Sequence, residues 1–283
     1  MFAVLALLSA LCYGAADFLG GFTARRANTL AVVVVSQLAG LLLLLTMLPF
    51  SPHAAPGRAD VLWGALAGVT GGGGVALLYR ALAIGVMAVV APTTAVCAVV
   101  IPVFVSVALE EPPAARTSGG IALAIVAIVL ISQSSDGGSG PRGEANRHRT
   151  KAFVLAVLSG VVIGFFFVAL SRTSSQAGLW PLVVARTVSV ALFAVMAFLT
   201  SKSLRIPVAI LGIVAAGGVL DMLANLLYLL ASRVGPLSVV VTLASLYPAS
   251  TVLLAWLVLR ERLSARQWVG VACALVAVAV IVR

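Results

Sequence analysis

The sequence predicts an all-α membrane protein, with ten transmembrane helices arranged as two inverted five-helix repeats. Three observations predict it. The first is composition: 62% of the 283 residues are hydrophobic, 9% are charged, and mean hydropathy is +1.20. Soluble domains carry roughly 25% charged residues. A fold of this make-up in water would expose far too much apolar surface, so lipid must be the solvent for most of the chain. The second is the run of apolar segments of the length, about 20 residues, that crosses a bilayer. The third is an internal repeat. Gly85–Ile131 aligns without a gap on Gly235–Ile281, with Gly85/Gly235, Leu109/Leu259, Glu111/Glu261, Arg116/Arg266, Gly120/Gly270 and Ala122/Ala272 in step. Ser9/Ser159 and Gly14/Gly164 keep the same offset near the front of each half. A duplicated membrane bundle is the usual architecture of a transporter with its site between the repeats.

The expected spans are residues 2–21, 31–49, 61–81, 87–109, 117–133, 152–171, 179–200, 208–231, 237–258 and 266–282. The first is read as a mature helix rather than a cleaved signal, because it lacks a basic leading region and keeps register with the second half. Breaks fall at Ala24–Asn28, Ser51–Asp60, Glu110–Ala115 and Arg260–Ser264. In the third span Gly64, Gly68 and Gly72 recur on one helical face, where small residues let two backbones approach. Gly71–Gly74 is not a nucleotide loop, since no Gly-Lys-Ser/Thr follows. Pro92 and Pro102 in the fourth span and Pro248 in the ninth remove backbone donors and bend a helix, as static kinks or as hinges.

The longest polar stretch, 133–151, has the Gly/Ser/Arg composition of a flexible linker. It divides the chain into a first repeat, 1–132, and a second, 152–283. Five spans is an odd number, so the second repeat enters the membrane inverted. Basic residues concentrate on the side of this linker, among them Arg25, Arg26, Arg80, Lys151, Lys202 and Arg205. The positive-inside rule therefore puts the linker in the cytoplasm and both termini outside.

The net charge of +10 does not indicate nucleic acid, because the basic residues are scattered over short loops with no stripe or interleaved aromatics. Anionic headgroups explain them better. Cys12, Cys97 and Cys273 lie in apolar runs at unrelated spacings, and His53 and His148 lie in loops. These give no disulfide framework, metal site or cofactor site. No nucleophile–histidine set or zinc-hydrolase motif is present, so the reading is not an enzyme.

The tail pattern Leu109-Glu110-Glu111 … Gly120, repeated as Leu259-Arg260-Glu261-Arg262-Leu263 … Gln267 … Gly270, resembles the EamA-type members of the drug/metabolite transporter superfamily. So does Ser245-Leu246-Tyr247-Pro248 ahead of the second tail. The stretch Tyr13 to Gly21 resembles the opening of one bacterial subgroup. The resemblance covers nearly the whole chain. It implies ten helices in two halves and the export of amino acids, metabolites or toxic compounds, with cytoplasmic termini. Small multidrug-resistance relatives carry a proton-binding acid in their first helix, which implies such a role for Asp17.

An ionisable side chain inside a span costs about 2.5–3.5 kcal/mol on insertion scales and faces a cavity or a partner. Asp17, Arg186 and Asp221 stand out. Asp221, Asn225 and Tyr228 share one helical face at i, i+4 and i+7. That face must line a polar interior, as a binding surface for a cationic or amine-bearing solute, as a proton carrier, or as a structural network. Asp17 is either an interfacial acid near Arg25 and Arg26 or a coupling site. Arg186 snorkels to the interface, pairs with Asp17 or Asp221, or meets an anionic group. Tyr79 and Tyr228 occupy comparable places in the two halves, which indicates a shared cavity role. Tyr13, Gln37, Thr93, Thr94, Thr242, Ser245 and Tyr247 supply further hydrogen-bonding groups. Glu111 and Glu261 read as structural acids at helix N-termini.

The expected function is a secondary transporter in the inner membrane that exports a small metabolite, amino acid or drug-like solute. The two halves would rock about a central site built from Asp17, Tyr79, Arg186, Asp221, Asn225 and Tyr228, with a proton or solute gradient as driver. The expected partners are the solute and the lipid bilayer, with no nucleic acid, and the protein is a monomer or homodimer. The alternatives are a lipid-headgroup flippase on the same scaffold and a membrane scaffold or sensor without flux.

Overall fold

The structure, a computed structural model, describes residues 1–50, 56–109, 115–132, 142–201, 204–259 and 265–282. Among these residues there is no strand. The first repeat contributes α1 (Phe2–Ala24), α2 (Thr29–Met47), α3 (Arg58–Ile84), α4 (Met87–Leu109) and α5 (Ala115–Ser132). The second contributes α6 (Arg142–Ser171), α7 (Trp180–Leu199), α8 (Val208–Ser232), α9 (Leu237–Ala244), α10 (Tyr247–Leu259) and α11 (Ala265–Val282). The ten expected spans are present, the ninth built from α9 and α10. Eight of them, among the described residues, are long and apolar enough to cross a membrane by length and composition.

Local chemistry sets several boundaries. Asn28 ends the α1–α2 turn and caps α2, its side chain accepting from Leu30 N at 2.9 Å. The Asp60 carboxylate accepts from Gly57 N at 3.0 Å at the start of α3. α4 runs continuously through Pro92 and Pro102. The ninth span breaks instead at Ser245–Leu246, just before Tyr247-Pro248. Proline at the second position of α10 needs no intrahelical donor, so it starts a helix more easily than it continues one.

Part of the expected linker, residues 133–151, is helical. α6 begins at Arg142, ten residues before the expected span. Ala145, Arg147, Arg149 and Lys151 are good helix formers, and no proline follows Pro141 in this stretch, so the helix nucleated in the membrane extends outward. Residues 133–141 lie outside the described residues, as do Glu111 and Glu261.

The helices are inside-out relative to a soluble bundle. On α1 the large side chains Val4, Leu8 and Leu11 are exposed, whereas Ala3, Ala6, Ser9, Ala10, Tyr13, Gly14 and Asp17 are buried. Large apolar groups thus face lipid, and small or polar groups face other helices. Lipid gives no hydrophobic drive for helix association, so close backbone approach and interhelical hydrogen bonds supply the adhesion. A Cβ at Gly218 would run into the Ser36 backbone, and one at Gly68 into the Ala185 carbonyl. These are the same contact in the two repeats, α8 on α2 and α3 on α7, displaced by one residue.

The expectation that each repeat forms a body of its own is corrected by the packing. α1 packs most extensively on α8, and α3 on α6. α2 joins α8, α7 joins α3, α4 joins α6, and α9 and α10 join α1. The helices therefore sort into two swapped bundles. Bundle A holds α1, α2, α8, α9 and α10, and bundle B holds α3, α4, α6 and α7. Each takes members from both repeats, and α5 packs against α11 beside them. The contacts are carried by small residues: α1 buries Ala3, Ala6, Ser9 and Ala10, and α3 buries Gly64, Gly68 and Gly72.

Candidate functional site

A cavity lies at the boundary between the two bundles. Bundle A lines it with Tyr13 and Asp17 of α1, Gln37 of α2, Asp221 and Asn225 of α8, and Tyr247 at the start of α10. Bundle B lines it with Gly68, Gly71, Gly72, Val75 and Leu78 of α3, Ile163, Phe166 and Phe167 of α6, and Leu182, Ala185, Arg186 and Ser189 of α7. The repeat offset runs across the cavity. Tyr13 and Asp17 correspond to Ile163 and Phe167, and Asp221 and Asn225 correspond to Gly71 and Val75. The repeat-related positions thus carry polar groups on α1 and α8 and apolar or small ones on α6 and α3, while α7 adds Arg186 and Ser189 to the bundle B wall.

Asp17, Arg186, Asp221 and Asn225 are each at least nine-tenths buried. Arg186 of bundle B forms an ion pair with Asp221 of bundle A through Nη2 and Oδ2. Arg186 Nε also donates to Met222 Sδ at 3.3 Å. Gly40 of α2 lets that helix approach α8 beside the pair, since a Cβ there would sit 3.1 Å from Gly218 O and 3.2 Å from Met222 Cβ. Asn225 Nδ2 donates to the Asp221 carbonyl at 2.6 Å, and its Oδ1 accepts from the Tyr13 hydroxyl at 2.8 Å. The chain Arg186–Asp221–Asn225–Tyr13 holds one side of the cavity in a fixed arrangement.

Asp17 stands apart from that chain. Among the described residues no hydrogen bond or ion pair reaches its carboxylate, although it lines the same cavity. Arg25 and Arg26 do not serve it: Arg25 donates to Leu82 O and Gly85 O, and Arg26 lies over the Phe22 ring at 3.6 Å. Gln37 Oε1 and the Tyr247 hydroxyl are also buried in the cavity wall without a hydrogen-bond partner.

The structure brings Asp17, Arg186, Asp221 and Asn225 of the expected set together. Tyr79 and Tyr228 of that set are not among the residues that line this cavity. Tyr228 donates to Phe167 O at 3.0 Å, and its ring lies tilted at 46° against the Phe167 ring, 4.7 Å between centroids. Tyr79 fills the space over Gly20, beside Ser36. Tyr228 keeps to the helical face of Asp221 but lies two turns further along α8, where its hydroxyl meets the Phe167 carbonyl of α6. Sequence reasoning named Tyr13, Gln37 and Tyr247 only as general hydrogen-bonding groups, and it missed Ile163, Phe166 and Phe167. The offset that relates Asp17 to Phe167 and Tyr13 to Ile163 was the signal that points to them.

An arginine joins the two bundles at each end of the molecule. On the linker side, Arg25 at the end of α1 donates to Leu82 O at 3.2 Å and Gly85 O at 3.0 Å in the α3–α4 corner. On the side of the termini, Arg233 after α8 donates to Ser174 O at 3.2 Å and Gly178 O at 2.7 Å in the α6–α7 loop. The two corners are repeat equivalents with the donor exchanged. Gly178 has φ 55, a conformation that favours glycine, and this turns its carbonyl toward Arg233. Asp60 Oδ1 accepts from Ser174 N at 2.7 Å and braces that loop. Burial pushes the Arg233 guanidinium down from its ordinary value, and the Asp60 carboxylate works against that shift.

Among the described residues no group of His, Cys, Asp and Glu is arranged to hold a metal. A lipid-embedded pair of related bundles with a charged cavity between them is the architecture of a solute transporter. The chain belongs to the EamA-like transporter family, whose model matches residues 1–133 and 150–283. That makes it a membrane transporter of the drug/metabolite type by family. A solved structure titled "Crystal structure of protein" is similar in fold, with a TM-score of 0.72 at 16% identity over 98% of this chain and 95% of that one. No curated protein sequence matches the chain.

Proposed function

We propose that the protein is a secondary transporter that exports a small organic solute across the cell membrane by alternating access, with Asp17, Arg186, Asp221 and Asn225 forming its central site. The observation that supports the reading is that these groups line one cavity at the junction of bundles A and B, with an arginine joining the bundles at each end of the helices. Opening one bridge at a time exposes the cavity to one side at a time. The moving bodies are the swapped bundles, because the packing inside each exceeds the packing between them. Tyr79 and Tyr228 then serve as packing groups beside the site. An ion or solute gradient supplies the drive, and Asp17, the unpaired acid, is the group that couples to protons. The protein works in the lipid bilayer as a single chain or as a pair.

Uptake into proteoliposomes tests the reading. Purified protein should move at least one solute from a panel of amines, amino acids and metabolites faster than protein-free vesicles do. If none of the panel crosses faster, the transport reading fails.

A further inference from the structure

The two walls of the cavity differ in a way that names the chemistry of its occupant. Bundle A presents Asp17 and Asp221, and bundle B presents Arg186. Arg186 is consumed by Asp221 and Met222. The remaining charge is the Asp17 carboxylate, 6% exposed and without a partner among the described residues. An ionised carboxylate in such surroundings costs several kcal/mol unless a cation or proton meets it. Gln37 Oε1 adds a second unpaired acceptor. Both call for a donor. Facing them are Ile163, Phe166 and Phe167, and the rings of Tyr13 and Phe167 meet edge-on at 6.1 Å. Aromatic faces attract an ammonium and also cover an apolar body.

We infer that the site takes an amphipathic organic monocation, its ammonium on Asp17 and its apolar body against the Ile163–Phe166–Phe167 wall. This inference rests on the transport reading for the use of the site, and it goes further in naming the solute class. An anion meets an unpaired carboxylate, and among the described lining residues the cation, Arg186, is already paired with Asp221. A zwitterion must separate Arg186 from Asp221 to find a place for its own carboxylate. A dication leaves one charge among apolar groups. A small bare ammonium leaves the aromatic wall unfilled.

Binding to the full chain in lipid nanodiscs tests this with five probes of similar size or fragment: phenethylammonium, phenylalanine, phenylacetate, putrescine and methylammonium. Phenethylammonium should bind about tenfold or more tightly than each of the others, the difference that about 1.4 kcal/mol produces. Asp17→Asn should lower that affinity by a similar factor, and Asp17→Glu should retain most of it. Equal or tighter binding of phenylalanine or phenylacetate overturns the inference, as does a folded Asp17→Asn protein that binds unchanged, or failure of every monocation to bind. If Asp17→Asn does not fold, the affinity order on the unmodified chain decides alone. The two readings fail separately. Flux of an amino acid or anion without cation binding sinks only the solute class, whereas cation binding with no flux of any solute sinks transport and leaves the site.

Discussion

Ser9 and Ser159 occupy the same position in the two repeats and make the same hydrogen bond. Ser9 Oγ donates to Ala224 O at 2.8 Å, and Ser159 Oγ donates to Gly74 O at 2.8 Å. The acceptors are repeat equivalents too. The first bond ties α1 to α8 and the second ties α6 to α3, so each fastens a helix of one repeat to the other repeat inside one bundle. Interhelical bonds of this kind contribute about 0.6 kcal/mol on average in membranes. Ser9→Ala and Ser159→Ala should each destabilise by about 0.5–1 kcal/mol, and the double variant by the sum, because the sites share no partner. Reversible unfolding in mixed micelles measures this. Unequal single effects would show that the two bundles are not held alike.

Close helix approach predicts a sharper contrast between two glycines of α8. Gly218→Val drives a branched side chain into the Ser36 backbone, where nothing flexible can give way. Overpacking of a tight contact costs about 1–3 kcal/mol or more. Gly212 has nothing within 4 Å of a Cβ. Gly212→Ala should therefore be neutral or stabilise by up to about 1 kcal/mol through helix propensity. The fraction that elutes as a sharp peak after heating ranks the two variants, and a well-behaved Gly218→Val protein would contradict the packing described.

The Arg186–Asp221 pair joins the two bundles across the cavity, so its halves should not be separately dispensable. Removing one partner of a buried pair leaves an uncompensated charge and costs about 3–5 kcal/mol. Asp221→Asn and Arg186→Gln should each lower stability by that order. The double variant should recover part of the loss while remaining inactive in flux. A thermal-unfolding cycle measures the coupling. Additive single effects would mean that the contact carries no interaction energy.

That pair also marks what the sequence can show. The spans, the repeat and the polar face of α8 are legible because each depends on local spacing: Asp221 and Asn225 share a face by helix period alone. Whether Arg186 answers Asp17 or Asp221 depends on how α7 lies against α8, which no single helix encodes. The unpaired state of Asp17 is hidden for the same reason. The repeat suggests two self-contained halves, but the small residues that carry helix contact say only that a face is close-packed. They do not say which helix meets it, so the exchange of helices between bundles stays out of view. Pro248 signals a bend in the ninth span, but Pro92 and Pro102 signal the same for α4, which stays continuous.

The two arginine bridges should act in opposite directions. Arg25 joins bundle A to bundle B on the linker side, and Arg233 joins them on the side of the termini. A hydrogen bond from a charged donor contributes about 1.5–3 kcal/mol net, enough to shift a two-state population by about tenfold or more. Arg25→Ala should widen the distance between spin labels at 28 and 86 and leave 176–234 unchanged. Arg233→Ala should do the reverse. Widening of both pairs in either variant would indicate general loosening rather than gates at the two ends.

The positive-inside rule predicts which way the molecule lies in the membrane, and two exposed loops give a direct test. Asn28 and Gln176 lie in the α1–α2 and α6–α7 connections at opposite ends of the bundles, and both are exposed. The linker side carries Arg25, Arg26 and Arg80, with Lys151 at the start of the second repeat's membrane segment. Basic loops are retained on the cytoplasmic face during insertion. In a background where Cys12, Cys97 and Cys273 are replaced by alanine, Asn28→Cys should react with a membrane-impermeant thiol reagent only after cells are opened. Gln176→Cys should react from outside intact cells. The opposite pattern would place the termini in the cytoplasm and would show that the scattered arginines do not govern insertion. It would also exchange the roles of the two bridges, with Arg25 guarding the outer face and Arg233 the inner one.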